Sequence, residues 1–273
     1  MPEFPLEPQA TGKWRRLRRV FRHSNGRCVI LPLDEALISG PRTYLNWNAG
    51  LVDMCMESGA DAVMAHLGTL QHHSVPLGLG RILNLSASTI RATPTRKTLV
   101  FSVEQAVTMD ADAVAYQLHI GSQYETQMLH EAGEVVRRAA EFGLPTMLIS
   151  YARSENPDGT PHDFGELRDN NYDEYVRLCA HAARVAVELG ADLVKTQYPG
   201  DQEAFSQIVE ACVPVPVVIA GGPYRPESLV LDDVRDALKV GGAGVSIGRG
   251  VFDSDDPSNV LRRLTELVHS SEG

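Results

Sequence analysis

Short apolar segments alternate with longer amphipathic segments along almost the whole chain. Most of the short segments are continuously apolar, which is typical of parallel β-strands covered on both faces. Eight of them are rich in β-branched residues and predict strands at Cys28–Asp34, Asp61–Leu67, Thr98–Glu104, Ala113–His119, Pro145–Tyr151, Asp192–Tyr198, Pro216–Gly222 and Ala243–Gly248.

Amphipathic helices are predicted between these strands, and each is followed by a glycine. Glycine suits the left-handed backbone conformation that ends many helices. The predicted helices are Tyr44–Ser58, Glu125–Phe142, Asp173–Leu189 and Glu227–Val240, followed by Gly59, Gly143, Gly190 and Gly241. A short motif, Gly-Ala-Asp-Ala-Val at residues 59–63, recurs in variant form at residues 110–114, 190–194 and 241–245. The chain therefore repeats a strand–helix unit.

Eight strands with interleaved helices in 273 residues predict an α/β fold, a single (β/α)8 TIM barrel. The alternative is an open doubly wound sheet, which usually carries a glycine-rich turn after its first strand. Here the first strand runs into Leu33-Asp34-Glu35-Ala36, so the barrel is favoured. Residues 1–22 are predicted to be a short N-terminal extension and residues 23–273 the barrel, with a last helix within 254–273 and no second domain.

Composition narrows the classes of function. The chain has 43% hydrophobic residues and a net charge of −10, and only 6% of its residues are aromatic, which argues against nucleic-acid binding. It contains no apolar run long enough to span a bilayer and no secretory signal, so no membrane partner is expected. Four cysteines lie far apart without a CxxC pair, which predicts reduced core residues in a cytoplasmic protein.

Polar residues are concentrated where the predicted strands end. In barrels of this type the active site lies at the carboxyl ends of the strands. The residues found there are Asp34, Glu104, His119, Tyr151, Lys195, Gly221, Gly222, Gly248 and Arg249.

Lys195 lies within an otherwise apolar strand. Burial disfavours the charged ammonium, and a neutral amine is a nucleophile for carbonyl carbon, so this lysine is a candidate for Schiff-base chemistry. A structural ion pair with a neighbouring carboxylate is the alternative. Asp34 is a candidate for orienting the amine, or else a turn or N-cap residue. Tyr151 is a candidate proton shuttle, or else a core residue.

Glycine turns follow the last two predicted strands. Gly221, Gly222 and Gly248 allow backbone N–H groups to approach an anion, and Arg249 adds a bidentate donor. A phosphorylated small molecule is therefore the expected substrate, although simple turns would carry the same glycines. No cofactor is expected. The histidines His66, His72, His73 and His162 lack a complete set of metal ligands, so no metal is expected either.

Several segments together resemble the DhnA/FbaB group of class I aldolases. They are residues 31–41, 85–89, 102–107, 110–129, 190–201, 220–223 and 243–252. The resemblance implies that Lys195 forms the imine, that Asp34 and Tyr151 are the acid and the general acid/base, and that the glycine turns with Arg249 bind phosphate. It also implies a homo-oligomer.

Three departures from the group's usual motifs concern the aldehyde acceptor. Glu35 replaces a histidine beside Asp34, Gln117-Leu118-His119 replaces His-Val-Asn, and Ala152-Arg153-Ser154, followed by a longer polar loop, replaces Pro-Arg-Gly. The acidic Glu35 disfavours a dianion and favours an ammonium group. Arg153 binds a carboxylate as readily as a phosphate.

An amino- or otherwise unphosphorylated aldehyde such as aspartate semialdehyde is therefore expected, contacted by Glu35, His119 and Arg153. Arg42 and Arg81 are further candidate cations. Residues 85–89 resemble the heptulosonate-synthase branch of the group. A fructose-bisphosphate aldolase, a thiolase-like acyl transferase and a non-catalytic phosphosugar-binding barrel remain as alternatives.

Overall fold

The computed structural model describes residues 11–41, 49–72, 75 and 78–270. In chain order the strands are β1 (Cys28–Pro32), β2 (Ala62–Ala65), β3 (Gly80–Asn84), β4 (Ser86–Ala87), β5 (Thr98–Leu99), β6 (Ala113–Ile120), β7 (Thr146–Ala152), β8 (Ser154–Glu155), β9 (Pro161–His162), β10 (Leu193–Gln197), β11 (Val217–Ala220) and β12 (Gly244–Ser246).

The helices surround these strands. They are α1 (Thr11–Val20), α2 (Glu35–Ser39), α3 (Ala49–Glu57), α4 (Leu67–His72), α5 (Val103–Thr108), α6 (Glu125–Glu141), α7 (Gly165–Asn170), α8 (Tyr172–Glu188), α9 (Gln202–Cys212), α10 (Glu227–Lys239), α11 (Arg249–Phe252) and α12 (Pro257–His269). No helix in the described ranges is long and apolar enough to cross a membrane.

Eight parallel strands close into a barrel in the order β1-β12-β11-β10-β7-β6-β3-β2. This arrangement confirms the predicted (β/α)8 barrel. The four remaining strands form two antiparallel ribbons, β4 with β5 and β8 with β9, outside the barrel. The four cysteines are buried with free thiols, as predicted.

The third barrel strand was predicted in the wrong place. Gly80–Asn84 occupies that position, between β2 and β6, whereas only Thr98 and Leu99 of the predicted segment form a strand, in the β4–β5 ribbon. Ser102 then caps α5 through a capping box. Glu104 therefore lies in a helix, where its carboxylate accepts from Arg138, and not at the mouth of the barrel.

Three of the predicted helices match α6, α8 and α10 within one or two residues. The glycines predicted to end the four helices all have positive φ, between 61° and 96°. The first predicted helix corresponds to α3, and residues 44–48 of that prediction lie outside the described residues.

Apolar side chains fill the amino-terminal half of the barrel interior. Ile30, Met64, Ile82 and Met147 belong to one buried cluster there, which also includes residues from α1. The residues of α1 in that cluster are Leu17 and Val20, followed by Phe21. This helix therefore closes the amino-terminal end of the barrel. The domain boundary predicted after residue 22 stays a prediction.

Three aspartates from the repeated motif tie this end together. Asp61, Asp112 and Asp192 each accept a backbone N–H from a neighbouring strand, at 2.8–3.0 Å. Each also receives a basic side chain, as the pairs His269–Asp61 (2.9 Å), Arg19–Asp112 (2.8 Å) and Lys13–Asp192 (2.8 Å) show. Two of these basic residues come from α1. The repeat thus encodes attachment points for the chain's end segments.

We expect Asp192→Asn to destabilise the protein by about 1–2 kcal/mol, since Lys13 would lose its charged partner while the backbone acceptor is kept. Urea unfolding followed by circular dichroism measures this. Asp236→Asn is the matched control, because Asp236 pairs with Lys239 on the exposed face of α10 and such pairs contribute less than about 1 kcal/mol. Equal effects of the two substitutions would contradict the proposed attachment.

Candidate active site

Lys195 points into the barrel just above its apolar filling. Its register partners are Ile149 on β7 and Val218 on β11, both inward-facing members of the interior cluster. The side chain is only 6% exposed. Within the described part of the chain its amine has no hydrogen-bond partner, so the structural ion pair considered above is not formed.

Burial lowers the pKa of Lys195 to about 8, a shift that Asp34 and Glu35 oppose and Arg249 reinforces. At pH 7 an amine with this pKa is neutral about 10% of the time, against less than about 0.1% for an ordinary lysine. The site therefore supplies a useful fraction of neutral, nucleophilic amine at physiological pH, while most of the lysine stays protonated.

Asp34 is fixed in place by Asn84. It stands at the N-cap of α2, yet its side chain makes no capping hydrogen bond. Its carboxylate instead accepts from Asn84 Nδ2 at 2.7 Å. Asn84 Oδ1 in turn accepts from the N–H and hydroxyl groups of Ser86, at 3.1 and 3.0 Å, which orients the amide. Asp34 thus faces the barrel mouth in a defined geometry.

Tyr151 stands half-buried at the carboxyl end of β7. Burial raises the pKa of its hydroxyl, Arg153 lowers it and Asp34 raises it, with burial dominating. The phenol therefore keeps its proton at neutral pH. The Arg153 guanidinium lies over the ring, 5.5 Å from its centroid. Among the residues described, none hydrogen-bonds the hydroxyl, so it is available to hydrogen-bond a substrate.

His119 is the register partner of Tyr151 on the neighbouring strand β6, with the two rings nearly parallel and their centroids 6.2 Å apart. Its Nδ1 lies 2.8 Å from the Thr95 carbonyl, which can only accept, so Nδ1 carries the proton. Burial lowers the pKa of the imidazole, keeping it neutral, and Nε2 accepts from the Gln117 amide at 2.8 Å. Both ring nitrogens are thus already occupied.

The candidate acceptor cations fall in different places. Arg153 lies at the mouth and pairs with Asp163 at 2.5 Å, in a loop that folds as the β8–β9 ribbon and α7. Arg81 is the second residue of β3, and its guanidinium donates to the Val75 carbonyl at 2.6 Å near the amino-terminal end of the barrel. The hypothesis that Arg81 contacts the acceptor is therefore wrong. Arg42 lies outside the described residues.

The two glycine turns lie side by side after β11 and β12, which are adjacent strands. A Cβ added to Gly221 would lie 2.7 Å from the Ile247 side chain, so only glycine fits this packing. Gly222 has φ 65° and faces open space, whereas a Cβ at Gly248 would meet the Pro32 carbonyl oxygen at 3.0 Å. The turns bring exposed backbone close to Arg249.

The structure adds three residues that the sequence reasoning did not find. Asn84 orients Asp34, and Ser246 is an inward-facing residue, 1% exposed, whose hydroxyl has no partner in the described structure. Lys97 is a second buried lysine, 5% exposed, and burial lowers its pKa to about 8. Asn84 and Ser246 are polar residues within apolar strands, a pattern from which the sequence could have indicated them as site residues. Lys97 lies in a polar stretch and gives none.

The predicted histidines do not gather into a metal site within the described structure. His66 contacts the Asn84 carbonyl oxygen at 3.1 Å, and His73 lies outside the described residues. The group of His and carboxylate side chains with metal-like spacing in the described ranges is His23, Asp61 and His269. It lies at the opposite end of the barrel from Lys195.

Comparisons with known proteins agree with this geometry. The model of the DeoC/LacD family aldolases matches residues 28–254. A 2-amino-4,5-dihydroxy-6-oxo-7-(phosphonooxy)heptanoate synthase of Streptomyces griseus is 38% identical, covering 94% of this chain and 90% of the relative. A 2-amino-3,7-dideoxy-D-threo-hept-6-ulosonate synthase of Archaeoglobus fulgidus is 34% identical, covering 95% and 92%.

A solved structure shares the whole fold. It belongs to a Schiff-base-forming fructose-1,6-bisphosphate aldolase and superposes with a TM-score of 0.81 at 29% identity, covering 94% of this chain and all of the other. The match to the family model extends over most of the chain. The chain therefore belongs to the DeoC/LacD aldolase family, and it is a class I aldolase, the type that works through a Schiff base.

Proposed function

We propose that Lys195 forms an imine with a phosphorylated three-carbon ketone, and that the resulting enamine joins an aldehyde carrying an ammonium and a carboxylate group. The observation that carries this proposal is the buried amine of Lys195, which has a lowered pKa and faces Asp34 and Tyr151. Phosphate binding alone would not need a desolvated amine at this position.

The first half of the reaction is imine formation. The neutral amine of Lys195 adds to the ketone carbon, and a proton passes from the nitrogen to the oxygen to give a neutral carbinolamine. Loss of water then needs a proton on the departing hydroxyl and leaves the iminium. Tyr151, protonated because of its burial, supplies that proton, while the negative charge of Asp34 stabilises the iminium.

The second half forms the carbon–carbon bond. The iminium acidifies the neighbouring carbon, whose proton passes to the tyrosinate left by the first step, and the enamine attacks the aldehyde. Tyr151 gives its proton to the new alkoxide. Hydrolysis of the product iminium then frees the Lys195 amine, and the proton released restores Tyr151. The hydroxyl of Tyr151 is suited to both transfers because no described residue occupies it.

The donor phosphate is proposed to bind between the two glycine turns. Gly221, Gly222 and Gly248 present backbone there, and no described carboxylate pairs with the Arg249 guanidinium. Arg249 also lowers the pKa of Lys195 and thus acts electrostatically on the amine. A phosphate at this place would hold the ketone carbon near Lys195.

The acceptor is proposed to be an amino-aldehyde. Glu35 at the start of α2 has no side-chain partner in the described structure, and its charge acts on both buried lysines. A carboxylate in this position favours an ammonium over a second phosphate. The Streptomyces and Archaeoglobus relatives are both named as synthases of 2-amino-substituted products, which supports this choice. His119 and Arg153 contribute to the acceptor site through Tyr151. His119 packs beside its ring, and the Arg153 guanidinium lies over the ring.

Borohydride with dihydroxyacetone phosphate is expected to inactivate the enzyme and leave a stable secondary amine on Lys195. The trapping rate should rise with pH and level off above about pH 8, as the amine loses its proton. Peptide mass spectrometry locates the adduct, Lys195→Met is expected to abolish it, and EDTA to leave it unchanged. An adduct on another residue, or full dependence on a divalent metal, would contradict the mechanism.

Tyr151→Phe is expected to slow turnover by roughly 10²-fold or more, the scale of a lost general acid/base. The ring and its contact with His119 are kept, and only the hydroxyl is removed. Imine trapping at Lys195 should still occur, although more slowly. Turnover near that of the wild type would return Tyr151 to a purely structural role.

With dihydroxyacetone phosphate as common donor, kcat/KM should be higher for aspartate semialdehyde than for glyceraldehyde 3-phosphate. The reason is the unpaired Glu35, which attracts an ammonium and repels a dianion. Glu35→Gln should reduce the preference. A clear preference of the wild type for glyceraldehyde 3-phosphate would assign the chain to fructose-bisphosphate chemistry instead.

A further inference from the structure

Lys97 lies across the barrel mouth from the glycine turns. In the ring of eight strands, β3 is diametrically opposite β11, and β6 is opposite β12. The segment that connects β3 to β6 contains Lys97 and returns to the barrel where the Thr95 carbonyl meets His119 at 2.8 Å. Lys97 and Arg249 therefore stand on opposite sides of the same opening.

Among the described residues, Lys97 has no counterion. The amine donates to Ser88 Oγ at 2.7 Å, and the Ser88 hydroxyl in turn donates to the Pro94 carbonyl oxygen at 2.9 Å. An ammonium has three N–H donors, so two have no acceptor among the described residues. In the described ranges no carboxylate lies within 4 Å of the amine, although the side chain is only 5% exposed.

A buried, unpaired ammonium is unfavourable unless something else supplies the negative charge. Asp34 and Glu35 act on Lys97 only at longer range, raising its pKa against the larger effect of burial. Arg153, the other cation on this side, is already paired with Asp163. An incoming anion would thus find Lys97 free and Arg153 engaged.

We propose that Lys97, positioned by Ser88, binds the carboxylate of the aldehyde acceptor. This inference rests on the proposed function, which places the donor phosphate on the opposite side of the mouth. Glu35 acts on Lys97 and on Lys195 alike, so an acceptor with its carboxylate on Lys97 presents its ammonium to Glu35. The aldehyde carbon is then directed to the centre of the barrel, above Lys195.

Succinic semialdehyde and butanal make a matched pair of acceptors for the test, because both have four carbons and only one carries a carboxylate. The ratio of their kcat/KM values, with dihydroxyacetone phosphate as donor, isolates the contribution of the carboxylate. In Lys97→Met the ratio of kcat/KM for succinic semialdehyde to kcat/KM for butanal should decrease by a factor of about 10 to 100, as expected for the loss of a charge-assisted hydrogen bond. The loss should lie mainly in KM for succinic semialdehyde.

Lys239→Met is the control, since Lys239 is an exposed lysine paired with Asp236 on α10. Ser88→Ala provides a second variant if Lys97→Met does not fold, and it should lower the same ratio several-fold. An unchanged ratio, or an equal loss for both aldehydes, would overturn the proposed subsite. In those cases borohydride trapping at Lys195 would still succeed. Failure of trapping in the wild type would instead refute the proposed function, and the subsite with it.

Discussion

Close packing of the inward-facing side chains determines how Lys195 behaves. Below it the barrel is filled by apolar residues from the strands and closed by α1, so water cannot solvate the ammonium from that side. Asp34 and Glu35, at the upper rim, pull the pKa back toward its ordinary value. The amine is therefore held between an apolar floor and an acidic rim. Its reactivity depends on the fit of residues that never touch a substrate.

The mouth of the barrel has a simple charge pattern. Asp34 and Glu35 act on both Lys195 and Lys97, Arg249 acts on Lys195, and Arg153 acts on Lys97. Negative charge thus occupies the rim beside β1, with cations on the two sides. Such a pattern matches a substrate pair with anionic groups at its far ends and positive charge, an iminium or an ammonium, nearer the middle.

Sequence patterns predicted seven of the eight barrel strands, because continuously apolar strands are distinctive. The third strand is not recognisable because Arg81 and Asn84 occupy two of the five positions of β3, whereas residues 98–104 are largely apolar without entering the barrel. Lys195 was recognisable as a charge inside an apolar strand. Lys97 was not, since its burial comes from tertiary contacts of a polar loop. The ion pair between Arg153 and Asp163 was not predicted either, because it forms only when the loop between them folds as the β8–β9 ribbon.

The attachment of α1 has a consequence for the order in which the protein can assemble. The helix is made first, yet Asp112 and Asp192, its acidic partners, lie 93 and 179 residues further along the chain. A ribosome exposes the chain from its amino terminus. The floor of the barrel therefore cannot be completed until β10 has emerged. The lysine that needs this floor belongs to the same strand, so its buried environment cannot form before that strand has been made.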